Sequence, residues 1–68
     1  MKEFACRLKE LRLEKGYTQQ ALAEKLNIKQ QSYIRYEYGT GEPSLDTLKK
    51  LAVILEVSAD YLLGLSDY

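Results

Sequence analysis

Apolar positions recur along this chain at helical rather than strand spacing. Phe4, Leu8 and Leu11 stand at i, i+4 and i+7, which predicts an amphipathic first helix over residues ~3–15, stopped by Gly16. Thr18 is a good N-cap for a short second helix, "TQQALAEKL", whose Leu22, Ala23 and Leu26 share a face. Asn27, which tolerates the left-handed conformation of a tight turn, follows it. A third helix is expected from Gln30 to Tyr38, then a loop without periodicity from Gly39 to Pro43. Ser44 caps a fourth, with Asp46 in its first turn and an apolar stripe of Leu45, Leu48, Leu51, Ala52 and Leu55. Ser58 caps a fifth, "ADYLL", with Gly64 as its stop. No stretch alternates as a strand should, and there is no internal repeat, low-complexity tract or separating linker. The expected fold is all-α: five short helices around one core, in a single domain over residues 1–68.

The third helix carries the most specific information. At about 100° per residue, Tyr33, Tyr36 and Glu37 fall on one side, and Gln30, Gln31, Ile34, Arg35 and Tyr38 on the other. The tyrosines have the bulk to fill a core, so the second side is expected to meet a partner. Helices two and three, joined by about three residues around Asn27, also have the spacing of a helix-turn-helix, whose second helix enters the DNA major groove. Glutamine bonds adenine bidentately there, arginine bonds guanine, and an apolar group touches the thymine methyl. Gln30, Gln31, Arg35 and Ile34 supply all three.

Composition narrows the class. Sixty-eight residues make one small domain, able to bury only roughly 60% of the surface its unfolded chain exposes. The single cysteine, Cys6, and the absence of histidine leave no intrachain disulfide and remove the commonest general base and a common metal ligand. An enzyme is therefore not expected, nor a cofactor, a metal or an evident small-molecule ligand. Cys6 is expected to be a half-buried helix residue. No apolar run approaches the ~18 residues a membrane span needs, and the charged start from Met1 to Glu10 is unlike a signal peptide. A cytoplasmic, soluble protein follows as the expectation. Net charge is zero, which argues against a nucleic-acid partner until its distribution is seen. Residues 1–38 hold eight Lys/Arg against five Glu, a surplus of three positive charges; residues 39–68 hold two Lys against five acids, an equal negative surplus. Such asymmetry orients a weakly charged protein on a polyanion.

The strings "GYTQQALAEKLNIKQQS", "YEYG", "PSLDTLKKLA" and "VSADYLLG", in that order, resemble the Xre-type, phage lambda repressor and Cro-like helix-turn-helix family over nearly the whole chain. The resemblance implies a five-helix DNA-binding module, usually a transcriptional repressor that binds its operator as a homodimer. It implies that Gln19 contacts the DNA backbone and supports the first residue of the reading helix. It puts Gln30, Gln31 and Arg35 at base edges and Ser32 close to the backbone or bases, and makes Arg12 and Glu37 a buried ion pair tying helix one to helix three.

Several residues depart from that pattern. Lys29 stands where a capping Ser or Thr is usual; it gives up about 1 kcal/mol of cap and makes sense if it reaches a phosphate. Ile34 stands where small polar residues are common. The loop "GTGEP" has backbone amides at Thr40, Gly41 and Glu42 but no positive charge, so few phosphate contacts and a shallow salt dependence are expected. A dimer would compensate by doubling the contacts on half-sites about one turn, ~10 base pairs, apart. Ile54, Ala59, Leu63 and Leu65 are the candidate dimer contacts, with completion of the core as their alternative role. A protein-interaction module with weak DNA binding is the rival from another class; an antitoxin or a controller-type regulator is a variant within the DNA-binding class.

Overall fold

A computed structural model describes residues 2–67 and contains five helices: α1 (Lys2–Glu14), α2 (Gln19–Leu26), α3 (Gln30–Tyr38), α4 (Leu45–Leu55) and α5 (Ala59–Leu62). Among the described residues there is no strand. The expected order and number of elements hold, with ends moved by one or two residues. Thr18 stands outside α2 as its cap, its hydroxyl accepting from the Ala21 amide at 3.0 Å; Ser44 and Ser58 do the same for Thr47 and Tyr61. α5 closes at Leu62, one residue earlier than "ADYLL" suggests, with Leu63 as its cap and Gly64 left-handed at φ 79°.

Left-handed residues end the inner helices. Asn27 adopts φ 57° after α2, and the Ile28 amide beyond it donates to the Ala23 carbonyl at 3.1 Å, a Schellman closure that satisfies an otherwise orphaned acceptor. Glu56 does the same after α4 at φ 59°, without glycine's freedom. Its carboxylate pairs with the Lys15 ammonium, so the C-terminal ends of α1 and α4 are joined at that turn.

The core is built from Phe4, Leu8 and Leu11 of α1, Leu22, Ala23 and Leu26 of α2, Tyr33 of α3, Leu51 and Leu55 of α4, and Leu62 of α5. Tyr36 packs at its edge, edge-on to Phe4 and Tyr33 with ring centroids 6.5 and 6.2 Å away. Arg7 pins the C-terminal segment to α1: its Nη1 donates to the carbonyls of Tyr61 and Ser66 at 2.7 and 2.6 Å, and its guanidinium lies over the Tyr61 ring.

Two expectations about burial fail for a geometric reason. Leu45, placed on the α4 stripe, is 85% exposed. The buried line of that helix runs through Thr47, Leu51 and Leu55, and Leu45 lies roughly 120° away from Leu51 on the helix circumference. Leu48 and Ala52 flank the line and are half-buried. Cys6 is exposed rather than half-buried, because it sits roughly 200° around α1 from Phe4.

One polar group crosses this core. Arg12 and Glu37 have side chains only 10% and 3% exposed, and Arg12 Nε donates to Glu37 Oε2 at 2.6 Å. Arg12 Nη2 reaches Oε1 at 3.3 Å, while its Nη1 donates to the Tyr17 carbonyl at 2.9 Å. The Tyr33 hydroxyl donates to Oε2 and the Gln19 amide nitrogen to Oε1 at 3.2 Å. Burial pushes the Glu37 carboxyl up, but hydrogen bonds from Arg12, Tyr33 and Gln19 outweigh it and hold the group below its ordinary range. Burial, then the bond to Glu37, pushes the Tyr33 phenol well above its usual value.

These features set three outcomes for equilibrium denaturation. Leu51→Ala should cost about 2–5 kcal/mol, whereas Val53→Ala, at an exposed position of the same helix, should stay within about 0.5 kcal/mol. Glu37→Ala, which leaves the Arg12 guanidinium buried and uncompensated, should cost roughly 3–5 kcal/mol; replacing the pair together by Met and Leu should cost far less. A carboxyl whose folded pKa is lowered contributes stability that is present above its unfolded pKa and lost as pH falls through the folded one. Stability of the wild type should therefore fall on acidification below pH 4.5, more steeply than that of Glu37→Gln.

Candidate nucleic-acid interface

The inner side of α3 is fastened by Tyr33, which is fully buried, by Tyr36 and by Glu37. That attachment sets the outward direction of everything opposite. Lys29, Gln30, Gln31, Arg35 and Tyr38 are exposed, while Ser32 and Ile34 are half-buried at the margins of the same surface. Tyr38 is 77% exposed. α2 and α3 are separated by the turn at Asn27 and pack on each other, so the pair has the helix-turn-helix arrangement.

Lys29 is in extended conformation ahead of α3, and its side chain makes no capping bond. An uncapped helix N-terminus keeps free amides and a partial positive charge there, next to the lysine ammonium. The disfavoured cap residue thus concentrates positive charge where α3 begins.

Gly39 ends the helix left-handed at φ 78°, and the Thr40 and Gly41 amides both donate to the Arg35 carbonyl, at 3.0 and 3.2 Å. Two of the three loop amides, those of Thr40 and Gly41, are therefore engaged within the protein. The Thr40 hydroxyl also donates to the Arg35 carbonyl at 3.4 Å. The Arg35 guanidinium leans back, its Nη2 3.5 Å from the Thr40 carbonyl. A Cβ at Gly41 would lie 3.2 Å from Arg35 Cβ and 3.6 Å from the Tyr36 ring, so the loop lies close against the helix there. Ser32, Arg35, Tyr36, Gly41 and Glu42 line a small polar pocket of about 220 Å³ there. The sequence signals for this packing are faint: a glycine after a threonine in a loop with no periodicity.

Gln19 opens α2 half-buried, with its amide nitrogen on Glu37 rather than on the first residue of α3. Neither this bond nor the Tyr33 hydroxyl was anticipated. The signal available for Tyr33 is its place four residues before Glu37, one turn along the same helix face.

The candidate dimer residues are divided between surfaces. Ile54 is half-buried and lines an apolar groove of about 280 Å³ with Asp46, Lys49, Lys50 and Val53. Leu63 lines a different groove, with Lys2, Glu3 and Phe4. Ala59 is half-buried on α5, and Leu65 is exposed. Among the described residues, no helix is long and apolar enough to cross a membrane.

Residues 8–62 match the model of a protein family described as helix-turn-helix. The chain is 53% identical over 60 residues to the SPbeta prophage-derived uncharacterized HTH-type transcriptional regulator YonR of Bacillus subtilis (strain 168), covering 88% of this chain and 56% of that protein. It is 52% identical over 58 residues to the HTH-type transcriptional regulator ImmR of the same organism, covering 85% and 46%. A cryptic phage CTXphi transcriptional repressor, RstR of Vibrio cholerae, is 35% identical over 49 residues, covering 72% and 44%. The chain thus spans about half the length of the relatives it matches. With a helix pair of the right spacing, a fastened inner face and a family match over most of its length, the chain belongs to the helix-turn-helix family.

Proposed function

We propose that this chain is a sequence-specific double-stranded DNA-binding module of a transcriptional regulator, acting as a repressor, with α3 in the major groove. One observation carries the proposal: Gln30, Gln31 and Arg35 are exposed together on the outer side of a helix whose inner side is locked into the core. Base readout needs planar donor and acceptor groups held at a fixed angle to the groove. The two glutamines and the arginine supply the groups, and the anchored tyrosines and Glu37 supply the fixed angle. Ile34, half-buried beside them, offers an apolar contact for a thymine methyl. Ser32 and Tyr38 flank the surface, and Gln19 and Lys29 lie at the starts of the two helices, where backbone phosphates approach in this docking mode.

The loop after α3 limits affinity. The Thr40 and Gly41 amides are engaged, and Glu42 adds a negative charge beside Arg35, so the phosphate contacts per chain are few. A second copy would double them, and a repressor built this way would act as a homodimer on a pseudo-palindromic operator. Ile54, Ala59, Leu63 and Leu65 remain the proposed dimer contacts; the apolar groove at Ile54 and Val53 supports that role for α4. The protein acts by occupying DNA rather than by chemistry, and a chromosomal target would place its action in the cytoplasm.

Selection from a random duplex library, at two salt concentrations, tests the proposal. Enrichment of a two-fold site with half-site centres about 10 base pairs apart is expected; no enriched sequence would overturn base reading. On the selected site, Gln30→Ala and Gln31→Ala should each cost about 1–3 kcal/mol of discrimination at one base pair while leaving the melting temperature unchanged. Glu42→Lys should tighten binding to all sequences alike and steepen the salt dependence by about 0.9 per added phosphate contact.

A further inference from the structure

Gln19 Nε2 lies 3.2 Å from Glu37 Oε1, inside the group that also receives Arg12 and the Tyr33 hydroxyl. An ionised carboxylate has acceptors only, so the amide must present its NH₂ end to it. The Gln19 carbonyl is consequently turned away from Glu37, and the orientation of this amide is dictated by chemistry rather than chosen by solvent. Gln19 is also the first residue of α2, one position after the cap, where a helix meets an approaching phosphate backbone.

We infer that Glu37 is a positioning residue for DNA binding, acting from inside the core through Gln19. Glu37 itself touches no DNA: its side chain is buried beneath the helix pair. Its two oxygens divide the work. Oε2 takes Arg12 Nε and the Tyr33 hydroxyl, which fixes the carboxylate; Oε1, with a longer bond from Arg12 Nη2, is left to hold Gln19. One anchored group therefore sets both the direction of α3 and the side chain that opens α2. A flexible glutamine that must be ordered on binding loses affinity to that ordering, and one already held does not. The inference rests on the DNA-binding proposal, and its test separates the two.

The side-chain amide signal of Gln19 in free protein, assigned by its loss in Gln19→Ala, reads the hydrogen bond without DNA. It should be displaced from the solvent position and move as Glu37 is titrated; Arg12 and Tyr33, the other titratable groups facing Glu37, stay protonated through that range. A solvent-like signal indifferent to that titration overturns the inference whatever the protein binds, and needs no variant that must fold. On the selected operator, Glu37→Gln should weaken binding about three- to tenfold more in the wild-type background than in Gln19→Ala, where only its hold on the direction of α3 is left to lose. An equal loss in both backgrounds, as a purely structural role gives, overturns it. If the wild type selects no DNA site, the DNA-binding proposal has failed and the positioning role with it, even where the amide signal proves the bond.

Discussion

The ion pair between Arg12 and Glu37 is the constraint on which the rest of this molecule depends, because it joins three helices through one carboxylate. Arg12 comes from α1, Glu37 and Tyr33 from α3, and Gln19 from α2. Burying two charges is costly, and an apolar pair of equal volume is often no less stable. What such a pair supplies here is direction. An apolar contact tolerates rotation of α3 by several degrees, whereas a guanidinium bonded to both a carboxylate and the Tyr17 carbonyl does not. For the proposed reading of base edges by α3, angular definition matters more than a further increment of stability.

The surface opposite follows from that attachment. With Tyr33 and Glu37 inward, the 3.6-residue repeat leaves Gln30, Gln31, Arg35 and Tyr38 outward. Its charge is unevenly distributed: Lys29 stands at the start of α3, while the loop beyond its far end carries Glu42 and spends its Thr40 and Gly41 amides on the Arg35 carbonyl. A chain with no net charge can still approach DNA in one orientation when positive groups and a helix N-terminus share one end of the reading helix. The loop lies close against Arg35 and Tyr36 at Gly41, and the Arg35 guanidinium turns toward the Thr40 carbonyl.

The C-terminal part works as a closure. Leu51, Leu55 and Leu62 complete the core, Arg7 ties the segment after α5 to α1, and Lys15 with Glu56 joins two helix ends. Apolar residues that the core does not need are left outside at Leu45, Val53 and Leu65. Leu45 and Val53 both belong to α4, but only Val53 lines the groove with Ile54. A chain of this size cannot bury every apolar residue, so their exposure is ordinary taken singly and meaningful only where they line a common groove.

What the sequence determined by itself is local. Caps at Thr18, Ser44 and Ser58, stops at Asn27 and Gly39, and apolar repeats in α1 and α2 are properties of residues a few positions apart, and each is legible from neighbours alone. The two sides of α3 were legible for the same reason. The tertiary structure decided what depends on pairs far apart in the chain. Leu45 points outward because the core meets α4 along Thr47, Leu51 and Leu55, which no single helix records. The Gln19 amide is oriented because a carboxylate 18 residues away lies beneath it. Periodicity specifies which residues share a face; only the packed arrangement of several helices specifies what each face meets, and that decides which polar groups remain free to bind.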